Sequence, residues 1–70
     1  MERTSDDRKK LAKKLIRLPE SKRPSNVVYK PATRFCAKYE VELDNLIIHF
    51  QDDGNRVYYL GEYPKLEGSN

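Results

Sequence analysis

From Phe35 to Leu60 the chain alternates apolar and polar residues in three runs, "FCAKYEVEL", "LIIHFQ" and "RVYYL", interrupted only by Asp44-Asn45 and by the stretch Asp52 to Asn55. A period of two sends successive side chains to opposite faces of a strand, so the pattern demands an antiparallel sheet with one covered face. In the first run Phe35, Ala37, Tyr39, Val41 and Leu43 form the apolar set, against Cys36, Lys38, Glu40 and Glu42. Asp and Asn tolerate left-handed backbone, so Asp44-Asn45 is expected to reverse the chain tightly. Asp53-Gly54 carries the signal of a type I′ hairpin, which needs positive φ at both central positions.

Two-residue turns at both places define a register. Leu43 would face Leu46, Val41 would face Ile48 and Tyr39 would face Phe50; in the second hairpin Phe50 would face Val57 and Ile48 would face Tyr59. All of these share one side of the sheet, and a slip of one residue would scatter them. The reverse side would then carry the rows Glu42–Ile47–Leu60, Glu40–His49–Tyr58 and Lys38–Gln51–Arg56. Single exposed aliphatics need no explanation, but a contiguous group does. Ile47, His49, Tyr58 and Leu60 are therefore the expected protein-interaction residues. In the competing reading, the connector 19–34 folds across this face with Val27, Val28 and Tyr29 as its cover.

Ahead of the sheet, "TSDDRKKLAKKLIRLP" predicts an amphipathic helix over residues 4–18. Thr4 and Asp7 have capping-box spacing, and Asp6 and Asp7 suit the positive end of a helix. Leu18, preceding Pro19, is pushed out of helical geometry and ends it. Leu11, Ala12, Leu15, Ile16 and Leu18 gather on one face at about 100° per residue, with Lys10, Lys13, Lys14 and Arg17 opposite. Leu11, Leu15 and Leu18 are the expected cover for the sheet. A polar connector over 19–34 follows, with an edge strand expected at Val27 to Tyr29 because Pro31 has no N–H for a ladder. Residues 62–70 are expected to be a loose tail.

The fold class expected is α+β: one N-terminal amphipathic basic helix packed on a three- or four-stranded antiparallel β-meander, in a single small domain over 1–70. A core this small supplies roughly 3–5 kcal/mol, so a chain of this length usually needs a disulfide, a metal or a partner. One cysteine, Cys36, excludes an internal disulfide, and one histidine excludes a His/Cys ligand cluster. No cofactor, metal site or catalytic residue is expected. Partner binding or a homodimer remains as reinforcement. The longest apolar run, Leu46 to Ile48, is far too short to cross a bilayer, and the charged N-terminus does not resemble a secretory signal. With an unpaired thiol, these features give a cytoplasmic expectation and no membrane partner.

Charge is divided along the chain. Residues 1–34 hold 11 Lys and Arg against 4 Asp and Glu, whereas residues 35–70 hold 3 against 7. Arg8, Lys9, Lys10, Lys13, Lys14, Arg17, Lys22 and Arg23 fall within sixteen residues that contain one acid, Glu20. Such a cluster suits the phosphate backbone of DNA or RNA, where neutralised phosphates release counterions. Lys38, Arg56 and Tyr58 on the open sheet face would add base or shape contacts. These eleven residues are the expected nucleic-acid contacts, with an acidic protein surface as the other partner of matching chemistry. His49 opposite Glu40 reads more simply as a cross-strand pair, Cys36 as an inert thiol, and Asp52-Asp53 as turn chemistry rather than a metal site. The expected function is a small non-enzymatic regulatory protein contacting nucleic-acid phosphates through its basic helix. The alternative is an inhibitor or adaptor docking through the open sheet face or a sheet edge.

Overall fold

Thr4 begins the ordered helix by a reciprocal pair of bonds: its Oγ1 accepts the Asp7 N–H at 3.1 Å, and the Asp7 carboxylate accepts the Thr4 N–H at 3.3 Å. The computed structural model describes residues 3–31 and 37–65. Helix α1 spans Ser5–Arg17, with acids in its first turn and Lys14 and Arg17 in its last, as the helix dipole favours. Leu18 is extended, and its N–H closes the helix on the Leu15 carbonyl. A single 3₁₀ turn, Glu20–Lys22, leads to the sheet.

The sheet is an antiparallel meander in the order β1 (Val27–Lys30), β2 (Ala37–Leu43), β3 (Leu46–Asp52) and β4 (Val57–Pro64). The expected edge strand is thus present and one residue longer. It pairs Val28 with Glu40 and Tyr29 with Tyr39, extending the sheet instead of folding across its second face. Phe35 and Cys36, expected in the first long strand, lie outside the described residues, as do positions 66–70 of the expected tail. Glu62 to Pro64 belong to β4 rather than to that tail.

The first long hairpin has the expected register, with Leu43↔Leu46, Val41↔Ile48 and Tyr39↔Phe50. Asp44 and Asn45 take φ of 53° and 64°, as a type I′ turn requires. The second hairpin differs. Phe50 pairs with Tyr59, not Val57, and Asp52 pairs with Val57 across a loop of residues 53–56. The cause is local. Asp53 Oδ1 accepts the N–H groups of both Asn55 and Arg56 at 2.8 Å, and Asp52 Oδ1 accepts that of Gly54 at 2.8 Å. These side-chain bonds hold a wider loop in place of a two-residue turn.

The helix covers the expected side. Val41, Ile48 and Phe50 are fully buried beneath Ala12 and Ile16, with Tyr39 nearly so. Ala12 and Ile16 are the deepest helical residues, whereas Leu11, Leu15 and Leu18 are only half-buried. Alanine's small side chain lets the helix approach the sheet closely, which moves the bulkier leucines to the rim.

Removing the largest buried side chain by Phe50→Ala should cost about 3–5 kcal/mol. That equals the roughly 3–5 kcal/mol expected from the whole core. The variant should therefore lose its cooperative thermal transition by circular dichroism, whereas the exposed Lys14→Ala should stay within about 0.5 kcal/mol of the parent.

Candidate functional site

Beyond Phe50↔Tyr59 the ladder slips: His49 pairs with Gly61, Ile48 with Glu62 and Ile47 with Tyr63. Leu60 is the extra residue of a β-bulge, which adds one position to one strand and reverses the facing of everything after it. Without the bulge Glu62 would lie opposite Ile47 on the open face. With it, Glu62 turns to the helix face and Tyr63 to the open face. The open rows are accordingly Glu42–Ile47–Tyr63, Glu40–His49–Gly61 and Lys38–Gln51–Tyr58, which replaces the expected pairings of Leu60, Tyr58 and Arg56.

Glu62 on the helix face meets Arg8 in a two-pronged pair, with Nε–Oε2 at 3.0 Å and Nη2–Oε1 at 3.2 Å. Arg8 also donates to the Arg3 carbonyl at 2.9 Å and lies 3.7 Å from Asp44. The hydrogen bond that Arg8 donates to Glu62, together with the charge of that carboxylate, outweighs desolvation and raises the Arg8 pKa above its ordinary value. This guanidinium ties the start of α1 to the bulged end of β4. Lys9 is engaged as well, its Nζ 4.5 Å from the centre of the Tyr59 ring. Arg23 donates to the Leu18 carbonyl at 3.0 Å and stacks 5.2 Å from the Tyr39 ring centre. Three of the expected phosphate contacts are thus bound to their own chain.

The other helix cations stand differently. Lys10, Lys14, Arg17 and Lys22 are exposed, and none of their side chains has an ion-pair or hydrogen-bond partner among the described residues. Lys13 is half-buried at the lip of a groove of about 440 Å³ between α1 and the 53–56 loop. Arg17 and Arg56 flank it with Asp52, over a floor of Ile16 and Val57. Arg56 is therefore a loop residue beside the helix cations, and not a member of an open-face row as expected. Lys38 and Tyr58 do lie on the open face, both beside Gln51.

On that face His49 Nδ1 is 3.8 Å from Glu40, which also takes Lys30 at 2.9 Å. The Tyr63 ring meets His49 edge-on, with centroids 5.0 Å apart at 81°. Tyr63 also lies over Gly61, where a Cβ would come within 3.1 Å of the Tyr63 hydroxyl oxygen. Ile47, His49 and Tyr58 thus share a side, Leu60 is the unpaired residue of the bulge, and Tyr63, expected in the loose tail, joins the open face. The available signal was Gly61, since a glycine inside a strand often marks a bulge. Among the described residues no group of three His, Cys, Asp or Glu is placed to hold a metal, and no helix is long and apolar enough to cross a membrane. Compared with known proteins, the chain matches no family model, and no curated protein or solved structure is significantly similar to it.

Gly61→Ala combines a φ of +147° with the Tyr63 collision and should cost about 1–3 kcal/mol. Gly54→Ala, at φ +94° with nothing within 4 Å, should cost less; denaturant midpoints rank the two. The Arg56 and Asn55 N–H groups hold the Asp53 carboxyl below its ordinary pKa. A depressed folded-state pKa means the loop's stabilisation is complete above the unfolded carboxylate's pKa and fades as pH falls through the lower folded value. Amide shifts of Asn55 and Arg56, whose N–H groups the Asp53 carboxylate accepts, should follow that titration in the acid range, and Asp53→Asn should abolish it.

Proposed function

We propose that this chain is a small non-enzymatic regulatory protein that binds DNA or RNA phosphates on the cationic surface shared by α1 and the 53–56 loop. The arrival of Arg56 beside Lys13 and Arg17, from 39 residues further along the chain than Arg17, carries this reading. Lys10, Lys14 and Arg17 recur along one side of the helix at its natural repeat. They span about 10 Å of axis, comparable to three nucleotide steps at roughly 3.4 Å each. The surface offers no base-reading constellation, which suits contacts that position a nucleic acid without specifying sequence. Lys22 extends the same cationic stretch beyond the helix.

With four phosphates neutralised, affinity should fall about a hundredfold between roughly 50 and 200 mM salt. Lys14→Glu with Arg17→Glu should flatten that slope in fluorescence-anisotropy titrations. Arg56→Ala should lower it by about one phosphate's share. Arg8→Gln should leave the slope unchanged while lowering the melting temperature, because Arg8 serves Glu62. Salt-independent binding, or no binding to either nucleic acid at low salt, refutes the reading. Retention of an acidic protein in nuclease-treated extract would assign the same cations to a protein partner.

The open face favours a second reading, docking of this chain on a larger protein as an inhibitor or adaptor. Glu40 and Glu42 make that face unsuited to a polyanion, while the bulge sets Tyr63 beside Ile47 and His49. Ile47→Asp should abolish such docking and leave the salt response of nucleic-acid binding intact.

A further inference from the structure

Helix α1 sets Lys9, Lys13 and Arg17 four residues apart, in one row along the side that looks toward β4. Lys9 reaches the Tyr59 ring, while Lys13 and Arg17 border the groove of about 440 Å³ whose other wall is the 53–56 loop. The floor of that groove is apolar, formed by buried Ile16 and half-buried Val57. Val57 and Tyr59 lie two positions apart on the helix side of β4, and Tyr59 is 36% exposed, so the floor continues onto an aromatic ring. A cationic rim over such a floor is more than a phosphate needs.

Phosphates alone leave two features unexplained. Asp52 lies among the groove residues, and a carboxylate there opposes an anion lowered to the floor. An apolar floor also favours a group that sheds its water readily, which a phosphate does not. The phosphates therefore belong on the rim, at Lys13, Arg17 and Arg56, and a flat, uncharged group belongs beneath them. A nucleobase between two phosphates has that distribution of charge. In a duplex each base is paired and stacked inside, out of reach of a recessed floor, whereas in a single strand it is free to turn out. A helix that reads a duplex must also enter its major groove, and on this side α1 is walled by the 53–56 loop.

We infer that the seam between α1 and β4 selects single-stranded DNA or RNA, its backbone on Lys13, Arg17 and Arg56 and an unpaired base seated on Ile16 and Val57. A groove of about 440 Å³ lies in the range of roughly 300–1,000 Å³ that encloses a small organic group. Contact with the face of a base is sequence-tolerant, so the seat adds strand selectivity without sequence preference. The inference rests on the phosphate-binding reading and adds to it the form of the polyanion.

Fluorescence anisotropy of the full chain at low salt can compare end-labelled probes of equal length: a thymidine strand, a uridine strand, the thymidine strand paired with its complement, and an abasic strand that keeps sugar and phosphate alone. The intact single strand should bind about five- to tenfold more tightly than the abasic strand or the duplex, the lower end of what one stacked base contributes. The tighter of the DNA and RNA strands names the source. Val57→Asn removes the apolar seat without adding charge; it should bring the intact strand down to the abasic value and leave that value unchanged. Should Val57→Asn fail to fold, the Val57 methyl resonances of the parent decide. They should move upfield under the ring current of an intact strand and stay in place with the abasic one. Equal binding of intact and abasic strands, or a duplex bound as tightly as the single strand, overturns the inference and leaves the phosphate reading standing. Failure of every strand to bind, or tighter binding of polyglutamate at equal charge, refutes the phosphate reading and this inference with it.

Discussion

Leu60 is one residue more than the strand opposite it can match, and the rest of the molecule is arranged around that surplus. Because side chains alternate along a strand, one added position exchanges the destinations of every residue after it. Glu62 reaches the helix face, where Arg8 grips it with two nitrogens. Tyr63 reaches the open face, where it lies over Gly61 and against His49. Gly61 makes both outcomes compatible, since its φ of +147° and missing Cβ leave room for the tyrosine ring. One local irregularity thereby anchors the helix on one side of the sheet and shapes an aromatic surface on the other.

The anchor sorts the cations into two kinds. Arg8, Lys9 and Arg23 sit over a carboxylate, a tyrosine and a backbone carbonyl with a second tyrosine, so their charge holds the fold together. Guanidinium suits this work because its planar fork matches a carboxylate and stacks on a ring. Lys10, Lys14, Arg17 and Lys22 face solvent with no such partner among the described residues. Under the proposed reading they are the residues left for an external polyanion. A basic stretch that looks uniform in composition is thus divided by which side of the helix each residue occupies.

The core beneath the helix is small. Six of the described residues are buried: Ala12 and Ile16 above Tyr39, Val41, Ile48 and Phe50. With no disulfide to constrain the unfolded chain, this cluster and the Arg8 anchor hold helix to sheet.

Much of the fold could be read from the residues alone, for a physical reason: its signals are local. The Thr4–Asp7 box, the block at Pro19, the alternation through β2 and β3 and the Asp44-Asn45 turn each act within a few residues, and the structure carries all of them. The second hairpin was not legible because two rules competed at Asp52 to Arg56. Gly54 favoured a tight turn, while Asp53 could instead accept bonds from Asn55 and Arg56, and the wider loop results. The bulge was announced only by Gly61, whose presence does not say which neighbour becomes the extra residue. Patterning and charge therefore determined the α+β meander and the buried side of its sheet. Tertiary structure alone decided that Arg8 serves Glu62, that Arg56 stands with Lys13 and Arg17, and that Tyr63 joins His49, because those pairings depend on a strand register that alternation leaves undetermined.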